Sequence, residues 1–205
     1  MTCTPTVFVV DDDASVLTSL SRLLQSAGFN VSAFACARAF LESDSFSKPG
    51  CLVLDVQMPG LSGVELQQML NEKKSALPIV FLSGNSELRT GVQAMKRGAF
   101  DFLTKPVEAE ALLEAVRLSI ETNRVTRAHQ AAEADIVQRL ATLTPREREV
   151  LPLVVAGQMN KQVAARLGTV EKTIKVHRAR VMAKLQVRTF ADLVCLANRA
   201  GIIGS

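Results

Sequence analysis

Five short apolar runs, spaced along the first 106 residues, constrain the fold of this chain more than any other feature. Amphipathic stretches such as ASVLTSLSRLLQSAG separate them, with apolar residues at helical spacing. Strands that are apolar throughout and alternate with helices are typical of a parallel sheet covered on both faces. We therefore predict a flavodoxin-like, doubly wound α/β domain with a five-stranded parallel sheet. The predicted strands are TVFVV (6–10), NVSAF (30–34), CLVLD (51–55), PIVFLS (78–83) and FDFLT (100–104).

The remainder of the chain is predicted to be helical. From Val107 to Thr144 there is no Gly or Pro, which favours one long helical stretch. Thr144, Pro145 and Glu147 then have the spacing of a capping box with proline at the first helical position. The resulting segments are a first domain over 1–122, a helical linker over 123–141 and an all-α domain over 142–205, with helices near 145–156, 160–167, 171–185 and 190–200.

Charge is distributed unevenly along the chain. Residues 1–122 carry 10 Lys and Arg against 14 Asp and Glu, whereas residues 123–205 carry 14 against 6. A basic second half favours an anionic partner such as nucleic acid.

Cellular location is predicted from three weaker signals. No apolar run approaches the length of a membrane span, and the start MTCTPTVFVV lacks the pattern of a signal peptide. The cysteines are scattered without a Cys-x-x-Cys pair, which predicts reduced thiols in a cytoplasmic protein.

Polar side chains follow the predicted strands at their carboxyl ends, where doubly wound sheets bind ligands. Asp11, Asp12 and Asp13 follow the first strand. Asp55 ends the third strand, Ser83 ends the fourth and Lys105 follows the fifth. Clustered carboxylates stay ionised together only with a cation among them, and oxygen ligands favour Mg²⁺. An aspartate is also a nucleophile that forms aspartyl phosphate. The alternative is structural: the aspartates cap the next helix and Lys105 pairs with one of them.

The motifs VFVVDDD, LVLDVQMPGLSG, FLSG and FLTKP, in this order, resemble the receiver domain of two-component response regulators over residues 5–122. The resemblance implies that Asp55 is the phosphoacceptor. It implies one Mg²⁺ bound by Asp12, Asp55 and the backbone carbonyl of Gln57, with Asp11 acting through water. Gln57 and Asn85 match variable positions that flank the phosphate.

The same resemblance assigns the parts that respond to phosphate. Ser83 and Lys105 match the phosphate-sensing pair, and Phe102 matches the aromatic switch residue. A cis peptide bond is implied between Lys105 and Pro106. Asp13 is expected to cap the following helix rather than to bind metal.

The basic second half, from LTPRERE through NKQVAARL to EKTIKVHRARVMAKL, resembles the LuxR-type helix-turn-helix domain of the FixJ/NarL response regulators. Such a helix enters the major groove, where Lys reads guanine and Val contacts a thymine methyl. The alternative is a solvated basic face. The predicted DNA-binding residues are Lys172, Thr173, Lys175, Val176, His177 and Arg180. Contacts mainly to phosphate are predicted for Arg166, Arg178, Arg180, Lys184 and Arg188.

The implied function is that of a transcription regulator phosphorylated by a sensor histidine kinase. Its partners are that kinase, promoter DNA, RNA polymerase and a second copy of the chain, which joins on phosphorylation or DNA binding. Apolar residues in the last helix, FADLVCLANRA, fit either a dimer contact or core packing. Two rivals are a phosphatase with an aspartyl-phosphate intermediate and a DNA-binding protein with a vestigial receiver. The phosphatase reading needs an Asp-x-Asp motif in a particular context after the first strand, and neither DDDAS nor DVQMP provides that context.

Overall fold

The computed structural model describes residues 4–84 and 88–202. In the first part of the chain the elements are β1 (Thr6–Val10), α1 (Ala14–Ser26), β2 (Asn30–Phe34), α2 (Ala37–Glu42), a 3₁₀ turn (Ser45–Ser47), β3 (Gly50–Asp55), α3 (Gly63–Glu72), β4 (Ile79–Ser83), α4 (Leu88–Lys96) and β5 (Asp101–Thr104). They are followed by α5 (Ala109–Ala141), α6 (Pro145–Val155), α7 (Asn160–Arg166), α8 (Glu171–Leu185) and α9 (Phe190–Arg199).

The chain divides into two compact units, Met1–Ala128 and His129–Ser205. The division falls within α5, which is one continuous helix. The predicted segment bounds at residues 122 and 141 stay a prediction. Among the described residues, no helix is both long enough and apolar enough to span a membrane.

The first unit contains the predicted sheet. Its five strands are parallel and lie in the order β2-β1-β3-β4-β5, which is the doubly wound arrangement. All six residues of the central strand β3 are buried, because helices cover both faces of a parallel sheet. The predicted fold class is confirmed, and each strand begins and ends within one residue of its prediction.

Alternate residues of the strands feed two separate cores. On one face, Phe8, Leu52 and Phe81 pack with residues of α2, α3 and α4. On the other face, Val7, Val9, Cys51 and Val53 pack against α1 and α5.

An asparagine joins α5 to the amino-terminal edge of this sheet. Asn123 is 1% exposed, and its side-chain oxygen accepts a hydrogen bond from the Gly50 N–H at 3.0 Å. Its side-chain nitrogen donates to the Ala76 carbonyl at 2.6 Å. A Cβ at Gly50 would lie 1.8 Å from the Thr6 carbonyl oxygen, so only glycine fits at the start of β3.

The second unit is a small helical bundle. Thr144 and Glu147 form the predicted capping box at α6. The core of this unit is built from all four helices α6–α9, and Val150, Ile174 and Leu185 are fully buried in it. The last turns of α5 also belong to it, since Ile136 is only 7% exposed and packs in the same cluster.

The apolar residues of the last helix contribute to the core. Leu193, Leu196 and Ala197 of α9 are buried in the second unit, and Val194 packs against the same cluster. Phe190 at the start of α9 is 45% exposed, and a dimer contact through this helix stays a prediction.

Candidate functional site

The carboxyl edge of the sheet brings the predicted polar residues together. Asp11 follows β1, Asp55 ends β3, Ser83 ends β4 and Lys105 follows β5. The register of the parallel strands pairs Asp55 with Leu82 and Ser83 with Thr104, so the three strand ends lie at the same level.

One ammonium group bridges two buried carboxylates at this edge. The Lys105 Nζ lies 2.7 Å from an Asp11 oxygen and 2.6 Å from an Asp55 oxygen. Asp11 is 1% exposed and Asp55 is 6% exposed. Ionised groups at such depth need a partner of opposite charge. The two aspartates and Lys105 thus form one electrostatic cluster.

Lys105 does not fully compensate for the burial of Asp55, the predicted phosphoacceptor. Burial raises the pKa of the Asp55 carboxyl, and the bond and charge of Lys105 offset this only in part. Burial alone would lower the pKa of Lys105, but its bonds to Asp11 and Asp55 outweigh burial and raise that pKa. Additional positive charge beside Asp55 would therefore favour its ionised, nucleophilic form.

Two backbone features hold the cluster in shape. The Lys105 N–H donates to the Ser83 carbonyl at 2.7 Å, and the Lys105–Pro106 peptide bond is cis, as expected. Behind Asp55, a Cβ at Gly63 would lie 2.2 Å from the Asp55 carbonyl oxygen. Glycine at the start of α3 therefore lets this helix approach the end of β3 closely.

An open depression of about 490 Å³ lies at this edge, and Asp12, Gln57, Met58 and Ser62 are among its lining residues. Asp13 is used differently. Its carboxylate accepts the N–H groups of Ser15 and Val16 and caps α1, as the sequence predicts. Within the described ranges, no three acidic, His or Cys side chains are grouped closely enough to be recognised as a metal site by themselves.

Ser83 and the predicted switch residue Phe102 lie on the neighbouring strands β4 and β5. Ser83 is 1% exposed, and its hydroxyl donates to the Gly84 carbonyl at 3.1 Å. The ring of Phe102 packs against Phe81 at 6.3 Å between centroids. A Cβ at Gly91 would lie 3.0 Å from the Phe102 ring, so α4 is in close contact with it. Asn85 lies outside the described residues.

In the second unit, α7 and α8 are joined by a short turn at Gly168, in the order expected of a helix-turn-helix. The apolar stripe of α8, formed by Ile174, Val181 and Leu185, is buried. Of the predicted DNA-binding residues, Thr173 and His177 are half-buried, and the exposed ones are Lys172, Lys175, Val176 and Arg180.

Two of the predicted phosphate contacts have partners inside the protein. Lys184 donates to a Glu147 oxygen at 2.6 Å and to the Thr142 carbonyl at 3.0 Å, so its ammonium ties α8 to α6 and to the end of α5. Lys184 thus has partners within the unit, and its contact to phosphate stays a prediction. Arg178 donates to Asn160 of α7 at 3.0 Å and is half-buried.

Two residues connect helices, although the sequence did not predict a role for either of them. Arg139 of α5 donates to the Leu185 carbonyl at the end of α8 at 3.1 Å. Gln67 of α3 is fully buried and donates to the Ala94 carbonyl of α4 at 3.0 Å. No local sequence pattern predicts either contact, because both join residues far apart in the chain.

Comparison with known proteins agrees with this geometry. Residues 7–117 match the family model described as the response regulator receiver domain. Residues 141–197 match the model for bacterial regulatory proteins of the luxR family.

Individual relatives cover almost the whole chain. The transcriptional regulatory protein FixJ of Bradyrhizobium diazoefficiens is 41% identical over 203 residues, which is 99% of each chain. Nodulation protein W of the same organism is 44% identical over 96% of this chain and 86% of its own length.

A solved structure of the response regulator StyR covers 96% of this chain and 100% of its own, with a TM-score of 0.90 and 47% identity. Full-length FixJ from B. japonicum gives a TM-score of 0.59 and 40% identity over 99% of this chain and 100% of that one. The chain thus belongs to the two-component response regulators of transcription, not to the enzymes, and carries a receiver domain followed by a LuxR-type DNA-binding domain.

Proposed function

We propose that Asp55 accepts a phosphoryl group from a phosphohistidine of a sensor histidine kinase. The observation that carries this proposal is the Lys105 ammonium, held between the Asp11 and Asp55 carboxylates at 2.7 and 2.6 Å. It places one nucleophile and one cation at the edge of the sheet where ligands bind. Asp55 attacks the phosphorus, an O–P bond forms, the N–P bond breaks and the imidazole nitrogen keeps the electron pair.

A divalent cation fits the donor set. Asp11, Asp12, Asp55 and the backbone carbonyl of Gln57 supply only oxygen, which Mg²⁺ prefers. The raised pKa of Asp55 also shows that Lys105 alone does not offset its burial. When bound there, Mg²⁺ would supply positive charge to the phosphoryl oxygens.

The phosphoryl group would change the balance at Ser83 and Lys105. New oxygens on Asp55 compete for the ammonium and attract the Ser83 hydroxyl. Phe102, in contact with Gly91 of α4, would follow the movement of Ser83. The surface around α4, β5 and α5 is thereby altered.

Promoter DNA is the proposed partner of the second unit. Helix α8 would read bases with the exposed Lys172, Lys175 and Val176 and the half-buried Thr173, while His177 and Arg180 would lie near the phosphates. A symmetric dimer would place two such helices on adjacent half-sites. RNA polymerase is the further partner of such a regulator, and its site of action is the cytoplasm, where chromosome and phosphodonor meet.

The decisive experiment uses phosphoramidate and Mg²⁺ with the full-length protein. One phosphoryl group per chain is expected by intact-mass spectrometry, and Asp55→Asn should take up none. Asp13→Asn is the matched control, because Asn also caps helices and Asp13 is bonded to Ser15 and Val16. Equal labelling of Asp55→Asn and wild type would refute the assignment.

The DNA-binding half is tested separately by selection. A random duplex pool incubated with the phosphorylated full-length protein should yield one enriched sequence class. Recovery of no enriched sequence would refute sequence-specific binding while leaving the result at Asp55 untouched.

A further inference from the structure

The carboxyl end of α8 is held by a side chain from the linker helix. Arg139 Nη1 donates to the Leu185 carbonyl at 3.1 Å, at the last residue of α8. The final carbonyls of a helix have no partner within the helix and carry the negative end of its dipole. A guanidinium at this position satisfies both requirements.

The connection between the two helix ends is reciprocal. Lys184 of α8 reaches back to the Thr142 carbonyl at 3.0 Å, just past the end of α5. Asp135, one turn before Arg139, forms a salt bridge with the other guanidinium nitrogen, Nη2. Arg139 is therefore fixed from its own helix while it holds the neighbouring one.

Arginine at position 139 is not the residue expected from stability alone. Its Nε is buried and has no hydrogen-bond partner among the described residues. A buried donor without a partner costs free energy. The side chain as a whole is 27% exposed, and its two terminal nitrogens are bonded to Leu185 and Asp135, so the cost falls on one nitrogen of a guanidinium that is otherwise held in place.

The position of Arg139 matters because of what α8 presents. Lys172, Lys175 and Val176 lie on the exposed face of the same helix. Reading base edges requires this helix to keep one direction in the major groove. Arg139 also lies outside residues 141–197, the segment matched by the luxR family model.

We propose that Arg139 is a positioning residue for DNA recognition, which fixes the carboxyl end of α8 to the last turns of the linker helix α5. The proposal rests on the proposed function of α8 as the recognition helix. Arg139 would touch no DNA itself. It would act on sequence discrimination through the direction of α8.

The test compares two arginine variants of the full-length protein. Arg139→Met removes the contact to α8. Arg148→Met removes the same charge and a similar contact, since Arg148 of α6 donates to the Ala141 carbonyl at 3.3 Å, but it leaves α8 untouched. Each is titrated against the duplex enriched by the wild-type protein and against a scrambled duplex, at several salt concentrations.

Arg139→Met should lose about tenfold in its preference for the enriched over the scrambled duplex, the size of one hydrogen bond to a charged group. Its salt dependence should equal that of Arg148→Met, whose preference should change less than twofold. Amide exchange at the last turn of α8 should be faster in Arg139→Met only.

Two results would overturn the proposal. One is an unchanged preference in a folded Arg139→Met protein. The other is an equal loss on both duplexes with the salt slope reduced by about one, which marks a direct phosphate contact. If Arg139→Met does not fold, Arg139→Gln is judged by the same two criteria. Failure of the wild-type protein to enrich any duplex would instead count against the proposed function.

Discussion

The ion pair between Glu147 and Lys184 offers the most quantitative prediction, tested by Lys184→Met. Glu147 of α6 is 2% exposed, and one of its oxygens accepts from the Thr144 N–H at 2.8 Å and from Lys184 Nζ at 2.6 Å. Removing the lysine leaves a buried carboxylate with only its capping bond. Lysine is replaced by methionine so that the apolar stem of the side chain is kept.

The magnitude follows from the carboxylate. The bond from Lys184 is the largest cause that lowers the pKa of Glu147 from 4.5 to about 2, against the opposing effect of burial. This difference corresponds to at most roughly 3 kcal/mol. Lys184 is 32% exposed and the Thr144 bond survives, so solvent screening and the remaining cap reduce the expected loss to about 2 kcal/mol. For a unit of this size that is a decrease in Tm of about 8–16 °C.

The pH dependence has a definite sign. Because the pKa of Glu147 is lower in the folded than in the unfolded chain, its stabilisation is complete above pH 4.5 and is lost as the pH falls towards 2. In Lys184→Met the folded pKa lies closer to 4.5, so the difference between variant and wild type should shrink over this window.

The assay is thermal unfolding of the full-length protein at pH 7, 4 and 3, with amide exchange in α6 to localise the change. Lys175→Met is the control, because it removes the same charge from an exposed position on the same helix. A Lys184→Met protein as stable as Lys175→Met at pH 7, or a loss that stays constant down to pH 3, would refute the reasoning.

Two further predictions concern caps and buried amides. Val170 stands at the N-cap of α8 without a side-chain cap and is 65% exposed, so Val170→Ser should stabilise α8 by about 0.5–2 kcal/mol in thermal unfolding and raise DNA affinity; no change in either would show that a hydroxyl gains nothing there. Asn123→Leu should lower the free energy of unfolding by about 2–3 kcal/mol in denaturant, because the buried N–H of Gly50 and the carbonyl of Ala76 lose their hydrogen-bond partner. Gln67→Leu should cost less than about 1 kcal/mol, since it also removes the Oε1 of Gln67, which is buried without a hydrogen-bond partner in the part of the chain that the structure describes. Equal costs for the two amide substitutions would contradict this explanation.

The sheet was predictable because its signal is local. A parallel strand covered on both faces must be apolar at nearly every position, as GCLVLD in β3 is. Asp55 stands out against that background, and a carboxylate at the mouth of such a strand has few structural uses. The same holds for the helix starts, where Asp13 and Thr144 form the predicted caps.

The partners of the basic side chains were not predictable in this way. Arg180 and Lys184 lie one turn apart on α8 and look equivalent in the sequence. Only the packing of α6 against α8 brings Glu147 within 2.6 Å of Lys184. The bond from Asn123 to Gly50 spans 73 residues and has no periodicity to mark it. Long-range polar contacts depend on the assembled fold, and the residues next to each partner in the sequence do not specify them.

The charges of the resting cluster support the proposal that a cation besides Lys105 takes part in the chemistry. Asp11 and Asp55 share the single ammonium of Lys105, and Asp12 lines the adjoining depression. Three carboxyl groups share this edge of the sheet with one lysine, and burial already raises the pKa of Asp55. A phosphoryl donor brings further negative charge to the same place, so like charges would oppose its approach. A divalent cation held by these carboxylates would reduce that repulsion, and Lys105 could then face the oxygens of the incoming group.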